Sequence, residues 1–402
     1  MNRLQLPRSF GPEIRSLLSA ALSTPGRLLE PEITAHFDWD RFTALAARHR
    51  IEGLVSFWLR ASGAHRFPDD VLRHFDQRRR SLALQYLQQA GETSRLSRLL
   101  AKAGIPVLVL KGCAVGRQLY APNPELRASV DIDLFVRPSD FAEADRLLRR
   151  DGYARTTPSE GLAPSADSMT RYLLNAYAYS QPDTDAKVEL HHRPLSDPNA
   201  MNVPFDRLLS LSVRLTPDDD VRSLGGEALA VYVCAHGAGH AFFRLKWLAD
   251  SVRALDSLGP ERLADAVALA REWGCERALL LALHLVEQFR GTPQPCLSQA
   301  QRRSMEPLVR YFWRAMSQDE RTDRRYLADL PADLREAAYA MRLASNPRSR
   351  RFIVLRMLTN AHDAATLGLG ARWAWLYAIV GPALAAGRLL SRYHLRRQHG
   401  AP

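Results

Sequence analysis

The chain has 402 residues, 46% of them hydrophobic and 24% charged, and 55 Lys and Arg outweigh 43 Asp and Glu for a formal net charge of +12. That composition excludes a disordered or low-complexity protein and leaves room for two or three units sharing an ample core. Nearly all the basic excess is arginine, which suits phosphate and carboxylate partners and equally fits a coding bias toward Arg.

Residues 10 to 105 read as helices. Over Trp39–Arg60, Phe42, Leu45, Ala46, Ile51, Leu54 and Trp58 recur at three- and four-residue spacings as one apolar stripe. Asp69-Asp70 opens a long helical segment that reaches about Gly104. The pattern changes at Ile105-Pro106. Val107-Leu108-Val109-Leu110 is a short continuous apolar run, expected of a buried strand, and Lys111-Gly112 stands at its end before a helical stretch to Tyr120. Pro122-Asn123-Pro124 marks a loop leading into a second strand, Ser129–Val136.

Pro138-Ser139-Asp140 caps a predicted helix over Phe141–Arg150, which Gly152 ends. After a polar loop, strands near Asn175–Ser180 and Ala186–His191 form a hairpin through the Pro182–Asp185 turn. From Pro204 helical signals are expected to persist to the end, including Glu227 to about His240 and Phe242 to about Leu258. The expected class is α+β: a small mixed-sheet core at 105–200, flanked by helical regions at 1–104 and 201–402.

The chemistry concentrates in the second strand. Residues i and i+2 of a strand share a face, so Asp131 and Asp133 stand together while Val130, Ile132 and Leu134 pack the other way. Two such carboxylates repel unless a proton or cation lies between them, and a hard cation such as Mg²⁺, with phosphate oxygens in its shell, fits that need. Lys111 is a candidate point charge for phosphates, or a solvated strand-end lysine. Gly112 permits phosphate oxygens to approach backbone N–H groups. Arg127 is placed either to pair with the acids or triphosphate, or on the surface.

Several of these segments together resemble a known group. Leu110-Lys111-Gly112, Leu119-Tyr120, Arg127, Asp131-Ile132-Asp133-Leu134 and Gly152-Tyr153 are followed by Val188-Glu189-Leu190-His191, then His236-Gly237-x-x-His240 and Arg244-Leu245-Lys246-Trp247-Leu248-x-Asp250. The set is similar to the DNA polymerase β-like nucleotidyltransferase superfamily, and more narrowly to a bacterial family of uncharacterised nucleotidyltransferases. The resemblance implies three carboxylates around one or two Mg²⁺ ions: Asp131, Asp133 and, from a later strand, Glu189. The local pattern agrees, since Glu189 alternates with Val188 and Leu190 and shares its face with Lys187 and His191. The superfamily commonly has Ser after the glycine, whereas this chain has Cys113, so the hydroxyl donor is missing.

His236 and His240 have zinc-ligand spacing, but Gly237 replaces the glutamate of His-Glu-x-x-His. Lys246 and Asp250, at i and i+4, read as a helix ion pair, and Trp247 as core. The resemblance sets His236 and Lys246 on the cleft. It implies Mg²⁺-dependent transfer of a nucleoside monophosphate from an NTP such as ATP to an acceptor, releasing pyrophosphate. The acceptor is a small molecule, a peptide or protein, or an RNA, with a lean toward peptide or sugar; no nucleic-acid-reading motif accompanies the basic charge. Three rivals are a toxin-like tRNA- or protein-modifying enzyme, a non-catalytic nucleotide-binding module, and a zinc hydrolase built on His236 and His240.

The four cysteines, Cys113, Cys234, Cys275 and Cys296, contain no C-x-x-C pair, which excludes a disulfide framework or zinc ribbon. Met1–Pro7 lacks the apolar core of a signal peptide, and a cytoplasmic location is expected. The uncharged run Trp373–Gly387 is too short to span a bilayer and is expected as a buried or interfacial helix. The Arg388, Arg392, Arg396 and Arg397 cluster that follows is a candidate for an anionic surface.

Overall fold

The N-terminal region is helical because each apolar stripe finds a facing stripe. Its helices are α1 (Pro12–Leu22), α2 (Trp39–His49), α3 (Glu52–Ala61) and the 34-residue α4 (Asp69–Lys102). Asp38 caps α2, its side chain accepting from the Arg41 N–H, and Asp69 and Asp70 complement the positive end of α4. Phe42, Trp58 and Phe75 are fully buried between them. The computed structural model describes residues 10–24, 26–158, 164–216, 219–317, 330–359, 367–377, 379–381 and 383–384.

The central unit runs β1 (Leu108–Val109), α5 (Cys113–Leu119), β2 (Ile132–Phe135), α6 (Phe141–Arg150), β3 (Ala154–Thr157), α7 (Pro164–Leu173), β4 (Ala176–Ser180) and β5 (Lys187–His191). The strands form one mixed sheet in the order β1-β2-β5-β4-β3. Only the β2–β5 pair is parallel, with Asp133 opposite Glu189 and Phe135 opposite His191. The predicted β4–β5 hairpin forms, with Ala178 opposite Glu189 and Ala176 opposite His191. One face of this sheet is apolar: Ile132, Leu134, Val188, Leu190, Tyr177 and Tyr179 pack with Phe141, Leu148, Leu96 and Leu100. Alternation then sends Asp133, Glu189 and His191 to the opposite face.

The C-terminal region adds α8 (Phe205–Ser210), β6 (Ser212–Thr216), β7 (Asp219–Leu224), α9 (Gly226–Gly239), α10 (Leu245–Asp256), α11 (Pro260–Glu272), α12 (Glu276–Arg290), α13 (Gln299–Ser317), α14 (Leu330–Leu343) and α15 (Pro347–Leu358). Helices α9 and α10 pack together within the core that also holds α1–α3.

Three expectations need correction. The stretch after Pro204 is not wholly helical, because β6 and β7 form an antiparallel hairpin. The polar loop after Gly152 contains β3, a short and mostly exposed edge strand without apolar alternation. The second strand starts at Ile132, so Asp131 lies in a bend just before it. Near the C terminus, Trp375 and Ile379 are exposed and Tyr377 is buried. Among the described residues no helix is long and apolar enough to cross a membrane. The Arg388–Arg397 cluster lies outside the described residues.

Candidate functional site

The site forms where β2 and β5 run in parallel. In-register pairing sets Asp133 beside Glu189 although 55 residues separate them in the chain. His191, two residues after Glu189, reaches the same point: its Nε2 lies 3.0 Å from Asp133 Oδ1 and 3.3 Å from Glu189 Oε2. Asp133, Glu189 and His191 each offer a ligand atom within 4.8 Å of the others, and among the described residues they are the only such group of three. Asp131 stays outside this group, yet is close enough for Asp133 and Glu189 to disfavour its charge. Burial, then those two acids, raise its pKa.

Lys111 is not a solvated strand-end lysine. Its Nζ lies 2.6 Å from Asp133 Oδ1 and 3.9 Å from Glu189 Oε2. Burial on its own would neutralise this ammonium, but Asp133 and Glu189 keep it charged. The effect is mutual: burial would raise Asp133, and Lys111 and His191 together hold it well below the usual carboxylate range. The His191 ring is oriented from behind, Asn175 Nδ2 lying 3.0 Å from Nδ1. With the amide in that orientation Nδ1 accepts, and Nε2–H donates to Asp133.

The loop before Asp131 is pinned by α4, whose Gln85 and Gln89 both donate to the Ser129 carbonyl. Gly112 has φ 60°, and a Cβ there would stand 3.3 Å from the Asp131 carbonyl oxygen. Glycine lets the β1–α5 junction close onto that loop. Cys113 turns away. Its Sγ is buried and donates to Thr93 Oγ1 at 3.5 Å, so the thiol does not replace the missing hydroxyl at the site.

Arg127 is neither a surface residue nor a partner of Asp131 and Asp133. It is 5% exposed and forks onto Asp250 of α10, with Nη2 3.1 Å from Oδ2, while Nη1 donates to the Gly112 carbonyl. Tyr120 donates to the same carboxylate at 2.7 Å. The expected Lys246–Asp250 helix pair is therefore absent: Asp250 is taken by Arg127, and Lys246 Nζ donates to the Ala128 carbonyl at 3.4 Å. Burial, followed by Arg127 and Arg50, pushes Lys246 down to about 7. The chain has only four lysines, and two of them, Lys111 and Lys246, are buried here.

His236 and His240 sit on α9 and just past its end, with ring centroids 4.9 Å apart. Among the described residues no third ligand joins them, so zinc hydrolysis gains no support. His236 is kept neutral by burial and by Lys111, His240 and Lys246 around it. Trp247 is buried, as expected.

Sequence reasoning missed two participants. His191 was visible as a face-mate of Glu189, but its reach to Asp133 depends on parallel pairing that alternation does not reveal. Tyr232, within the continuously apolar α9, carried no signal. Its hydroxyl is fully buried without a hydrogen-bond partner, in the field of Lys111, Asp133 and Glu189.

The donor set fits a divalent cation. Asp133 Oδ2 is buried and unpartnered, a costly state for a carboxylate oxygen unless something positive reaches it. Glu189 keeps its side chain 37% exposed, so the cluster is open on that side. Asp133 and Glu189 would hold the ion, with His191 orienting the Asp133 carboxylate and Asp131 at the rim.

No curated protein and no solved structure matches the chain. The family model described as uncharacterised nucleotidyltransferase matches residues 35–291, well over half of the sequence, and that span contains every element of the site. The chain belongs to this uncharacterised nucleotidyltransferase family.

Proposed function

We propose that the protein transfers a nucleoside monophosphate from an NTP to an acceptor, releasing pyrophosphate, with Mg²⁺ bound at Asp133 and Glu189. The observation that carries this reading is the pairing of Asp133 with Glu189 across parallel strands, with one Asp133 oxygen unpartnered. Bound there, Mg²⁺ would neutralise charge on the triphosphate as the transfer proceeds.

The chain's own residues do the positioning. Lys111 is placed to shift from the carboxylates to the phosphates, since its stem arises from the β1–α5 junction beside Gly112. Asp131 serves the rim of the site, where an approaching cation would offset the burial and neighbouring acids that raise its pKa. Glu189, with its side chain 37% exposed, is the candidate to take the proton of the attacking hydroxyl. Arg127 acts at one remove, holding the Gly112 carbonyl and tying the junction to α10. His236 of α9 and Lys246 of α10 are candidates to meet the nucleotide. The acceptor is a small molecule, a peptide or protein, or an RNA.

A second reading, nucleotide binding without turnover, is favoured by the Lys111 ammonium lodged on Asp133 and by Cys113 facing the core. One experiment separates the two. Purified protein is incubated with Mg²⁺, each α-³²P-labelled NTP and size-fractionated lysate, beside an Asp131→Ala/Asp133→Ala variant. Label transferred by the wild type alone supports the enzyme. NTP bound with neither transfer nor pyrophosphate supports the binding module, and no NTP binding overturns both.

A further inference from the structure

The turn joining α9 to α10 is built at a conformational cost. Ala241 and Phe242 both have φ 50°, a left-handed backbone that side chains with a Cβ rarely adopt, here in two consecutive residues. The surroundings hold it in place. Phe242 is fully buried, and its ring packs so tightly on Gly237 that a Cβ there would meet it at 2.4 Å. The Phe242 N–H donates to the Gly237 carbonyl at 2.8 Å, and the Ala241 N–H to that of Ala238 at 2.8 Å. Gly237, standing where a zinc protease motif has glutamate, is thus the seat of the turn.

The turn sends the next aromatic ring outward. Phe243 is 37% exposed, and His240 is exposed beside it. Both lie against Trp247: His240 is stacked at 4.5 Å and 20°, and Phe243 meets it edge-on at 5.0 Å. The Arg244 guanidinium covers the Phe243 and Trp247 rings at 5.4 and 5.6 Å. Lys246 ties this cluster to the carboxylate site: its Nζ lies 6.0 Å from the Trp247 ring and 3.4 Å from the Ala128 carbonyl oxygen, in the loop that leads to Asp131. His240 lies in the field of Lys111, Glu189 and Lys246, and His236 in that of Lys111.

Flat π-surface open to solvent, cations beside it and a metal-binding carboxylate group next to those is the set of contacts a nucleotide makes along its length: base, phosphates, metal. We propose that His240 and Phe243, backed by Trp247, form the platform on which the base of the NTP stacks. The inference rests on the nucleotidyltransferase reading and deepens it, by naming where the base lies. Stacking serves any base, so the platform gives affinity with little choice among the four NTPs.

The test compares ATP, UTP and inorganic triphosphate, each with Mg²⁺, binding to wild type, Phe243→Ala, Phe243→Tyr and His240→Ala by calorimetry. Phe243 is partly exposed, and melting curves check that each variant stays folded. We expect Phe243→Ala to weaken both NTPs roughly five- to hundredfold, to leave triphosphate within about twofold, and Phe243→Tyr to restore binding. Equal weakening of ATP and triphosphate, or unchanged ATP binding, would overturn the platform while leaving nucleotidyl transfer intact. So would normal ATP binding with impaired transfer, which would assign the turn to the acceptor. If the wild type binds none of the three ligands, the nucleotidyltransferase reading itself fails.

Discussion

Two buried aspartates, Asp133 on β2 and Asp250 on α10, are treated oppositely. Asp250 is saturated: Tyr120 and the Arg127 fork occupy both of its oxygens, and neither Arg127 nor Asp250 keeps more than 4% of its side chain exposed. Asp133 is half satisfied, with Lys111 and His191 sharing one oxygen and nothing on the other. Arginine, planar and rigid, locks the first; lysine, a movable point charge, attends the second. A closed network of this kind holds a structure together, whereas an open one is held ready for a ligand.

The sharpest way to break this contrast is to remove the saturated acid. Asp250→Ala leaves Arg127 as an uncompensated buried cation and should cost about 3–5 kcal/mol in denaturant unfolding. The triple change Tyr120→Phe/Arg127→Met/Asp250→Leu, which removes the three polar side chains together and leaves the Gly112 carbonyl its Gly116 N–H, should recover most of it. Asp133→Asn should invert the pattern, with transfer falling by about 10²–10³-fold, ~3–4 kcal/mol, while thermal stability moves far less. If Asp133→Asn unfolds the protein as readily as Asp250→Ala does, the distinction between the two networks is wrong.

Lys246, buried on α10, bonds to the Ala128 carbonyl and pairs with neither Asp133 nor Asp250. Its folded pKa of about 7 lies below the ordinary 10.5, so between those values the unfolded chain binds a proton that the folded chain lacks. Stability contributed by this group therefore rises with pH across that window, with a slope of at most about 1.4 kcal/mol per pH unit. Lys246→Met should flatten that rise in urea titrations from pH 7 to 10. The smallest effect is expected at Tyr232. Loss of an unpartnered buried hydroxyl in Tyr232→Phe should stabilise the ligand-free protein by about 1 kcal/mol, and a drop in its Tm would reveal a partner for that hydroxyl.

What could be read from the sequence divides along the same line. Local patterns sufficed for α6, for the β4–β5 hairpin and for the acids themselves, because alternation and caps lie within a few residues of one another. Partner identity did not. Arg127 reads as a partner of the nearby acids or triphosphate, or as a surface residue, because Asp250 is 123 residues away, and an i,i+4 rule assigns Asp250 to Lys246 instead. His191 required knowledge of the parallel register, and Tyr232 that of which side of α9 meets the sheet. The β6–β7 hairpin was hidden by its arginines and aspartates, which break the apolar alternation that marks a strand.

Lys111 has one more consequence, for how the protein is made. Many small metal sites are knit into folding, since their clustered acids or thiolates cannot be brought together without the ion. Here the chain carries a stand-in cation, two residues beyond β1, that neutralises Asp133 during assembly. If the proposed divalent ion binds at Asp133, the fold would not require it, because Lys111 already compensates that carboxylate. Chelation should leave the melting temperature of the wild type unmoved, and Lys111→Met should make it depend on added divalent ion.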